Sequence, residues 1–428
     1  MHMNASRVLG VVAEQDEERK RLLEDRRLIK RDSLDHWSRF VGSDLVKVTT
    51  GVRRSGKSTF THLLLRGSDY AYVNFDDDRL APNGRGDLDA MLEVLYSHYG
   101  QFDHILLDEV QNVEGWELFV NRLQRGGLKT YVTGSNANLL GMELATHLTG
   151  RTVQMELLPF SFREFLAWRD IPEGPPTTRR RAVLKRQLQD YMVLGGFPEV
   201  VRDPAIAREY LPSLYSSILI KDVVARHGIR FVRTFKDLAT TLLSSTATLM
   251  TYNRLKDAHG IKSVHTVKNY VDLMAEAYLL LVLDKLSAKP REVQNSPKKV
   301  YAIDTGLIGP LSVSASEDRG RLMENLAFLH LRRRLAVEPG LELFYWSDYT
   351  GHEVDFVVRR ARKVEALVQV TFASGPDEIS PRVARGLVKA ADLLGCKDLR
   401  IVTWDYEGRL RRGGRTIECV PMWRWLLE

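Results

Sequence analysis

Residues 47–65 read KVTTGVRRSGKSTFTHLLL and give the clearest indication of the fold. A β-branched run precedes Gly51, the pattern Gly-x4-Gly-Lys-Ser ends at Ser58, and an apolar helical pattern follows. A strand, a glycine-rich loop and a helix in this order are typical of a phosphate-binding loop, in which backbone amides and a helix N-terminus surround the phosphates. The stretch therefore predicts a site for a nucleoside triphosphate.

The residues of this loop have separate expected roles. Lys57 would reach the β- and γ-phosphates, and Ser58 would ligate magnesium. The glycines would let the backbone approach the phosphates and adopt positive φ angles. The residues expected to bind the nucleotide are Gly51, Arg53, Arg54, Ser55, Gly56, Lys57, Ser58 and Thr59, and the expected cofactors are ATP and Mg²⁺. The competing interpretation is a glycine-rich turn that arose by chance.

A second strand, HILLDEV at 104–110, ends in two acids. Its apolar run predicts burial on both faces, so Asp108 and Glu109 would lie at the carboxyl end of a parallel sheet, where such sheets bind ligands. Asp108 would complete the magnesium shell, and Glu109 would polarise the attacking water. The alternative is a pair of acids that merely face solvent at the end of a strand.

Three further polar residues are candidates for catalysis. Ser135 and Asn136 end the strand TYVTGSNA, where either could position the lytic water. Arg151, in LTGRTVQMEL, is a candidate finger that a neighbouring subunit would supply, a role worth roughly 10³ to 10⁵ in rate. An ordinary surface arginine is the competing interpretation. The predicted catalytic set is Lys57, Glu109, Ser135, Asn136 and Arg151.

Composition restricts the class of protein. The 428 residues are 44% hydrophobic and 27% charged, which is typical of globular proteins and predicts two to four domains. A net charge of +7 points mildly toward a polyanion such as nucleic acid. No apolar run has the length of a membrane span, no secretory pattern opens the chain, and its two cysteines make no disulfide scaffold or zinc motif. We therefore expect a soluble, cytoplasmic protein without a membrane partner.

Five apolar runs alternate with helix-length segments between residues 45 and 155. They read LVKVTT, YAYVNF, HILLDE, TYVTGS and TVQMEL, and they predict a parallel α/β sheet. Later strand-like runs, LFYW, EVDFVV, ALVQVTF and LRIVTW, follow a helix that begins near residue 320. The chain therefore ends in a further α/β or α+β domain.

A helix-turn-helix rhythm lies between these two regions. The segment beginning TYNRLKDAHGIKS at 251 predicts a short helix, a glycine turn and a recognition helix over His265–Leu280. The basic, turn-rich segment 285–304 would form a wing. The residues expected to bind DNA are Arg254, Lys256, Lys262, Lys268, Asn269, Lys298 and Lys299. The alternative is a winged helix that serves protein contacts or subunit packing.

Several motifs together resemble one family. GVRRSGKST, LLDEVQNVEGWE, TGSNA, the Gly-Arg pair before ELLPFSFREF, GGFPE at 195–199 and EVDFVV resemble the AAA-type ATPases that carry a C-terminal domain of unknown function. The resemblance covers most of the chain. It implies an α/β fold in which a P-loop AAA+ parallel sheet domain precedes a winged-helix domain and a C-terminal restriction-endonuclease-like α/β domain. The expected divisions are an N-terminal charged helix (1–40), an AAA+ core (41–172), a helical lid and linker (173–235), a winged helix (236–305) and the terminal domain (306–428).

The terminal domain has an incomplete nuclease motif. Restriction-like nucleases hold magnesium with carboxylates from a helix and two strands, and they place a lysine near the attacked phosphate. Glu324, Asp355 and Gln369 occupy the expected metal positions, whereas Thr371 stands where the motif has lysine. Lys389 could replace that lysine in space. We expect a degenerate fold that binds DNA or a partner, with nuclease activity as the alternative.

These observations lead to three functional hypotheses. The leading one is an ATP-hydrolysing, DNA-binding AAA+ machine, a hexamer-like ring or spiral homo-oligomer that remodels or translocates on forks, junctions or duplexes. The second is a nucleotide-gated signalling or defence switch that binds proteins. The third is an ATP-regulated nuclease.

Overall fold

The computed structural model describes residues 5–25, 27–80, 85–136, 150–175, 177–309 and 319–428. The chain divides into two compact units. The first comprises Met1–Pro159 and Glu276–Tyr278, and the second comprises Phe160–Ala275 and Leu279–Glu428. Within the described part of the chain, no helix is both long and apolar enough to cross a membrane.

The first unit contains a parallel sheet. Its strands are β1 (Val46–Thr50), β2 (Tyr70–Asn74), β3 (His104–Asp108), β4 (Lys129–Gly134) and β5 (Thr152–Glu156), in the order β2-β3-β4-β1-β5. All five predicted strands are present, which confirms the α/β prediction for this region. Every residue of β1 and β3 is buried, as expected of strands that helices cover on both faces.

Helices cover this sheet. They are α1 (Ala5–Glu24), α2 (Leu34–Ser38), α3 (Lys57–Leu64), α4 (Arg85–Tyr99) and α5 (Trp116–Arg125), with short 3₁₀ helices at Asp78–Leu80 and Val110–Asn112. The charged N-terminal helix α1 buries Val8, Val11 and Val12 in the core that also contains β1 and β3. Its apolar stripe therefore packs on the sheet domain.

The second unit begins with helices. These are α6 (Phe162–Trp168), α7 (Thr178–Leu194), α8 (Pro198–Arg202), α9 (Ala207–Ser217), a π-helix (Ile218–Ala225) and α10 (Val232–Ser244), with a 3₁₀ helix at Pro204–Ile206. A capping box starts α6, because Ser161 and Glu164 exchange side-chain to backbone hydrogen bonds.

A three-stranded antiparallel sheet follows. Its strands are β6 (Thr248–Met250), β7 (Leu280–Leu283) and β8 (Lys298–Ala302), in the order β6-β8-β7, and its helices are α11 (Tyr252–Ala258), α12 (Val264–Glu276), α13 (Pro290–Asn295) and a 3₁₀ turn at Thr305–Leu307. The predicted recognition helix ends at Glu276 rather than Leu280, because Tyr278 has a φ of +56° and Leu280 begins β7. The predicted wing segment contains helix α13.

A six-stranded mixed sheet ends the second unit. Its strands are β9 (Leu341–Ser347), β10 (Glu353–Arg360), β11 (Lys363–Thr371), β12 (Asp398–Thr403), β13 (Gly408–Arg412) and β14 (Arg415–Pro421), in the order β13-β14-β12-β11-β10-β9. Helices α14 (Arg319–Val337), α15 (Pro381–Leu394) and α16 (Met422–Trp425) and a 3₁₀ turn at Pro376–Glu378 accompany it. The sequence analysis missed β13 and β14, because the exposed arginines of this hairpin interrupt the apolar pattern.

Two adjacent glycines explain the GGFPE motif. Gly195 has a φ of +74°, and a Cβ atom on Gly196 would lie 2.3 Å from the Phe160 carbonyl oxygen. The Gly196 amide donates to Asp304 Oδ2 at 2.7 Å, and the Gly306 amide donates to Oδ1 at 2.9 Å. Burial raises the pKa of Asp304 to about 7 despite these two donors. The motif therefore joins the end of α7 to the turn after β8.

Candidate functional site

The glycine-rich loop follows β1 with the backbone that a phosphate-binding loop requires. A Cβ atom on Gly51 would lie 2.2 Å from the Leu157 carbonyl oxygen, so only glycine fits at this position. Gly56 has a φ of +88° and caps α3, whose first residue is Lys57. The amino end of α3 thus faces the loop, where its free amides and partial positive charge favour an anion.

The side chain of Lys57 lies between the loop and the acidic strand. It is almost fully buried, and its Nζ donates to the Val52 carbonyl oxygen at 3.2 Å. The same Nζ lies 3.8 Å from Glu109 Oε1. The loop and the end of β3 therefore lie side by side.

Asp108 ends β3 with its carboxylate buried and fixed by neighbours. The Thr133 hydroxyl donates to Oδ1, the Tyr72 hydroxyl donates to Oδ2 at 3.4 Å, and Ser58 also bonds to this carboxylate. Burial, and then the charge of Glu109, raise the pKa of Asp108, while the hydroxyls of Thr133 and Ser58 oppose the rise. The two predicted magnesium ligands, Ser58 and Asp108, thus lie together.

Glu109 has an unusual backbone. Its φ of +50° is rare for a residue with a side chain and is a form of local strain that clusters at functional sites. The Glu109 amide donates to Thr133 Oγ1 at 3.1 Å, and Gln111 Nε2 donates to its carboxylate. The Glu109 side chain remains 17% exposed. It is therefore held where water can reach it, as a general base requires.

Ser135 and Asn136 directly follow β4 and are both buried. Because β4 lies between β3 and β1, these residues lie between the acidic strand and the loop. The hydroxyls of Ser135 and Ser55 are buried and have no hydrogen-bond partner among the described residues. Buried hydroxyls are normally bonded. Two such groups at one sheet edge fit a polar ligand such as a nucleotide phosphate.

Arg151 lies away from this group of residues. It is exposed and directly precedes β5, and its carbonyl oxygen accepts from the Val46 amide at 2.8 Å. Val46 is the first residue of β1, whereas the loop follows its last, Thr50. A five-residue strand is about 16 Å long. Arg151 therefore lies at the opposite sheet edge from the loop of its own chain.

The remaining loop residues have mixed exposure. Arg53 is half-buried, with one guanidinium nitrogen 3.9 Å from Asp76, while Thr59 is half-buried in α3. Arg54 is exposed and has a φ of +67°.

Lys57, Ser58 and Asp108 are the residues that would hold a magnesium nucleotide. The bound Mg²⁺ would neutralise charge on the phosphates.

Sequence reasoning missed three residues that support the site. Thr133 and Tyr72 fix Asp108, and a polar threonine inside a buried strand was the available signal. Arg31 is buried behind the loop, where it donates to the Ser55 carbonyl oxygen at 3.0 Å and to the Leu158 carbonyl oxygen at 2.5 Å. Nothing in the charged run around Arg31 indicated this contact.

The predicted DNA-binding residues of the helix pair are mostly accessible. Lys268 and Asn269 are exposed on α12, whose Val267 and Val271 are buried. Arg254 and Lys262 are also exposed, while Lys256 is half-buried and pairs with Asp257 at 3.1 Å.

The two predicted wing lysines of β8 are not accessible, so this part of the prediction is wrong. Lys298 and Lys299 are 7% and 2% exposed. Lys298 Nζ contacts Asp284 Oδ1 and donates to the Val293 carbonyl oxygen, both at 2.5 Å. Buried and paired ammonium groups cannot reach a DNA phosphate.

The three nuclease-like residues meet in the second unit. Asp355 accepts from Gln369 Nε2 at 2.6 Å, and Lys299 Nζ lies 2.9 Å from Asp355 and 2.8 Å from Glu324. Burial, and then the Asp355 charge, raise the pKa of Glu324 to about 7. Lys389 contacts Asp348 at 2.6 Å instead. No group of three or more histidine, cysteine or acidic side chains in the described ranges has an arrangement that could hold a metal ion.

A match to one family model agrees with the loop and sheet. Residues 43–166 match the family model of an AAA domain, and residues 185–318 and 319–425 match two domains of unknown function, DUF8612 and DUF4143. The Walker-type ATPase of Pyrococcus abyssi is a similar solved structure, with a TM-score of 0.42 and 12% identity, covering 66% of this chain and 96% of that one.

Two curated relatives cover nearly the whole chain. An uncharacterized protein of Haemophilus influenzae is 28% identical over 94% of this chain and 99% of its own length. An uncharacterized protein of Methanocaldococcus jannaschii is 32% identical over 89% of this chain and 88% of its own length. The chain therefore belongs to the family of the Methanocaldococcus jannaschii protein and carries an AAA-type P-loop ATPase domain.

Proposed function

We propose that this protein hydrolyses ATP to ADP and phosphate and couples hydrolysis to work on DNA as a homo-oligomer. The observation that carries the proposal is the division of the catalytic residues between two edges of one sheet. Lys57, Glu109 and Ser135 lie at the carboxyl edge, whereas Arg151 lies at the amino edge.

This division favours an assembly of subunits. A transition-state arginine must contact the transferred phosphoryl group. Arg151 cannot serve the loop of its own chain across the length of β1, but it is exposed and free to enter the site of a neighbour. Repeating this head-to-tail contact produces a closed ring or an open helical filament. We therefore propose a hexamer-like ring or spiral that needs Arg151 in trans.

DNA binding is proposed for the three-stranded sheet and its helices. The order of α10, β6, α11, α12, β7 and β8 along the chain fits a winged helix, with α12 as the proposed recognition helix. Lys268 and Asn269 would face the groove, and Arg254, Lys256 and Lys262 would contact phosphates. Remodelling of, or translocation on, forks, junctions or duplexes is the proposed output. The terminal domain is proposed to be restriction-endonuclease-like. The division of the chain into the five segments given in the sequence analysis is also proposed.

Hydrolysis and DNA binding can be tested on the same purified chain. We expect Mg²⁺-dependent ATP hydrolysis, and we expect Glu109→Gln to bind ATP but lose turnover. DNA affinity should fall linearly with salt on a logarithmic scale, and Lys268→Ala should lower both the affinity and the slope. Lys397→Ala, which removes another exposed lysine, is the matched control. ATP turnover with no DNA binding at low salt would exclude the DNA part of the proposal.

One observation favours the nucleotide-gated switch as the second candidate. The burial of Lys298 and Lys299 removes two of the cations expected on the DNA-binding surface. Slow hydrolysis that DNA does not stimulate, together with a monomer-to-oligomer change on ATP binding, would support a switch that binds proteins. The nuclease hypothesis has no comparable support, because its carboxylates are paired with a lysine.

A further inference from the structure

Six side chains of the second unit form one cluster, called here the Lys299 cluster. They are Lys299 and Tyr301 from β8, Glu324 from α14, Glu353 and Asp355 from β10, and Gln369 from β11. The cluster includes all three residues that the sequence assigned to a nuclease-like metal site. It also includes a lysine that the sequence assigned to DNA.

The ammonium of Lys299 is fully used inside the cluster. A lysine has three donor hydrogens. Lys299 Nζ lies 2.8 Å from Glu324 Oε1, 2.5 Å from Glu353 Oε1 and 2.9 Å from Asp355 Oδ1. The residue is only 2% exposed. Every donor therefore meets a different carboxylate, and none is available to an attacked phosphate.

The oxygens that a metal would need are also occupied. Asp355 Oδ2 accepts from Gln369 Nε2 at 2.6 Å and from the Val370 amide at 2.9 Å. Glu324 Oε1 accepts from the Tyr301 hydroxyl at 2.8 Å. Mg²⁺ binds oxygen at about 2.0–2.1 Å in a strict octahedron. A divalent ion would have to displace the ammonium before it could reach these oxygens.

Charge explains why a cation belongs here. Three carboxylates lie close together, and buried acids are stable only when they are paired. Glu353 is 31% exposed, so solvent screens part of its charge. Gln369 adds hydrogen bonds without adding charge. One internal ammonium therefore offsets part of the charge of the three carboxylates, and the neutral donors Tyr301 and Gln369 satisfy further carboxylate oxygens.

We propose that the Lys299 ammonium takes the place of a divalent cation in this cluster. The terminal domain consequently performs no metal-dependent cleavage, and removal of the ammonium opens a cryptic site for a divalent cation. The same ion contacts join β8 of the three-stranded sheet to α14 and to β10 of the six-stranded sheet. Lys299 thus makes the carboxylate cluster an internal clamp of the second unit. This inference does not depend on the proposed ATPase and DNA activities.

Thermal denaturation of nucleotide-free protein, in EDTA and in millimolar Mn²⁺, tests the proposal. In EDTA, Lys299→Ala should melt roughly 5–10 °C below the wild type, because it leaves buried acids unpaired. Mn²⁺ should restore at least half of that loss, and it should not restore the double variant Lys299→Ala/Asp355→Asn. Lys298→Ala is the matched control, because it also removes a buried, paired lysine from β8. Its melting temperature should fall without recovery in Mn²⁺.

A titration of wild type and Asp355→Asn with Mn²⁺, followed by electron paramagnetic resonance, needs no lysine variant. We expect the two proteins to bind the same amount of Mn²⁺. Three results would each overturn the proposal. Asp355→Asn could bind one Mn²⁺ fewer than the wild type, or the wild type could show Mg²⁺-dependent DNA cleavage that Asp355→Asn abolishes. The third is a folded Lys299→Ala protein whose melting temperature does not rise in Mn²⁺. A Lys299→Ala chain that folds only with Mn²⁺ would support it.

Discussion

At the scale of single residues, the Thr133 hydroxyl connects the two acids of the nucleotide site. It donates to Asp108 and accepts from the Glu109 amide. One oxygen thus fixes the carboxylate that would hold magnesium and stabilises the strained backbone of the candidate base. Thr133 can therefore set the relative geometry of Asp108 and Glu109.

Thr133→Val removes this hydroxyl while keeping the shape of the side chain. We expect ATP hydrolysis to slow by about 10- to 100-fold, because a buried hydrogen bond to a charged group contributes about 1.5–3 kcal/mol. ATP binding should change little, since Lys57 and the loop are intact. Thr133→Ser keeps the hydroxyl and is the control. If the valine and serine variants hydrolyse ATP at the same rate, the Thr133 hydroxyl does not position Asp108 and Glu109 for hydrolysis.

The ionisation of Asp304 is a residue property with a consequence for stability. Its pKa in the folded protein, about 7, is above the ordinary value of 3.8. The folded state therefore favours the protonated carboxyl, and this stabilising contribution is present below about pH 4 and is lost as the pH rises toward 7. At one unit of pKa per 1.4 kcal/mol, the loss is up to about 4 kcal/mol.

Asp304→Asn removes the titrating group. We expect the free energy of unfolding of the wild type, minus that of the variant, to decrease from pH 4 to pH 7. Urea denaturation at several pH values measures this difference, in which groups common to both proteins, such as Glu324, cancel. A difference that is constant or increases with pH would contradict the raised pKa.

At the scale of elements, close backbone approach fixes where glycine must occur. The Gly195-Gly196 pair lets the end of α7 touch the segment before α6, and the Gly196 Cβ position is filled by Phe160 backbone atoms. The Phe160 carbonyl group and the Gly196 Cα atom both belong to the backbone, so neither can shift without moving the chain around it. The pair therefore acts as a packing contact, which explains a motif that sequence reasoning could use only as a family resemblance.

Gly196→Ala should lower the free energy of unfolding by about 3 kcal/mol, because the added methyl group forces the backbone apart. Gly10→Ala is the matched control, since Gly10 lies in helix α1 with nothing within 4 Å of its Cβ position. That change should stabilise the protein by about 0.5–1 kcal/mol. Urea denaturation of both variants measures their free energies of unfolding. Equal changes in the two variants would show that the Gly196 Cβ position is not closely packed.

At the scale of the whole molecule, Arg151 decides whether one chain can complete the catalytic site. The parallel pairing of β1 with β5 places the start of β5 and the end of β1 at opposite edges of the sheet. The same sequence in an antiparallel sheet would have put Arg151 beside the loop.

Mixing two inactive variants tests the role in trans. Arg151→Ala should bind ATP normally and hydrolyse it roughly 10³-fold more slowly or worse. Added Glu109→Gln protein, which retains Arg151, should restore part of the activity by completing sites whose Glu109 is intact. Arg66→Ala, at another exposed arginine of the first unit, should hydrolyse ATP normally. No recovery in the mixture would contradict action in trans.

The amino-acid sequence was enough to predict the nucleotide loop, the acidic strand and the parallel sheet. These features depend on residues that are adjacent in the chain, because consecutive amides must surround a phosphate and buried parallel strands must be apolar throughout. Local spacing was therefore sufficient to place Lys57, Ser58 and Asp108.

The burial and the partners of Lys299 and Arg31 became evident only from the folded structure. Lys299 meets Asp355 across 56 residues, and Arg31 meets the Ser55 carbonyl across 24. The sequence does not show whether a basic side chain faces solvent or a buried acid. The sequence analysis therefore placed Lys299 among the DNA-binding residues and left Arg31 within the charged N-terminal helix. Long-range folding brings these partners together, and the cost of leaving a buried charge unpaired makes the contacts obligatory.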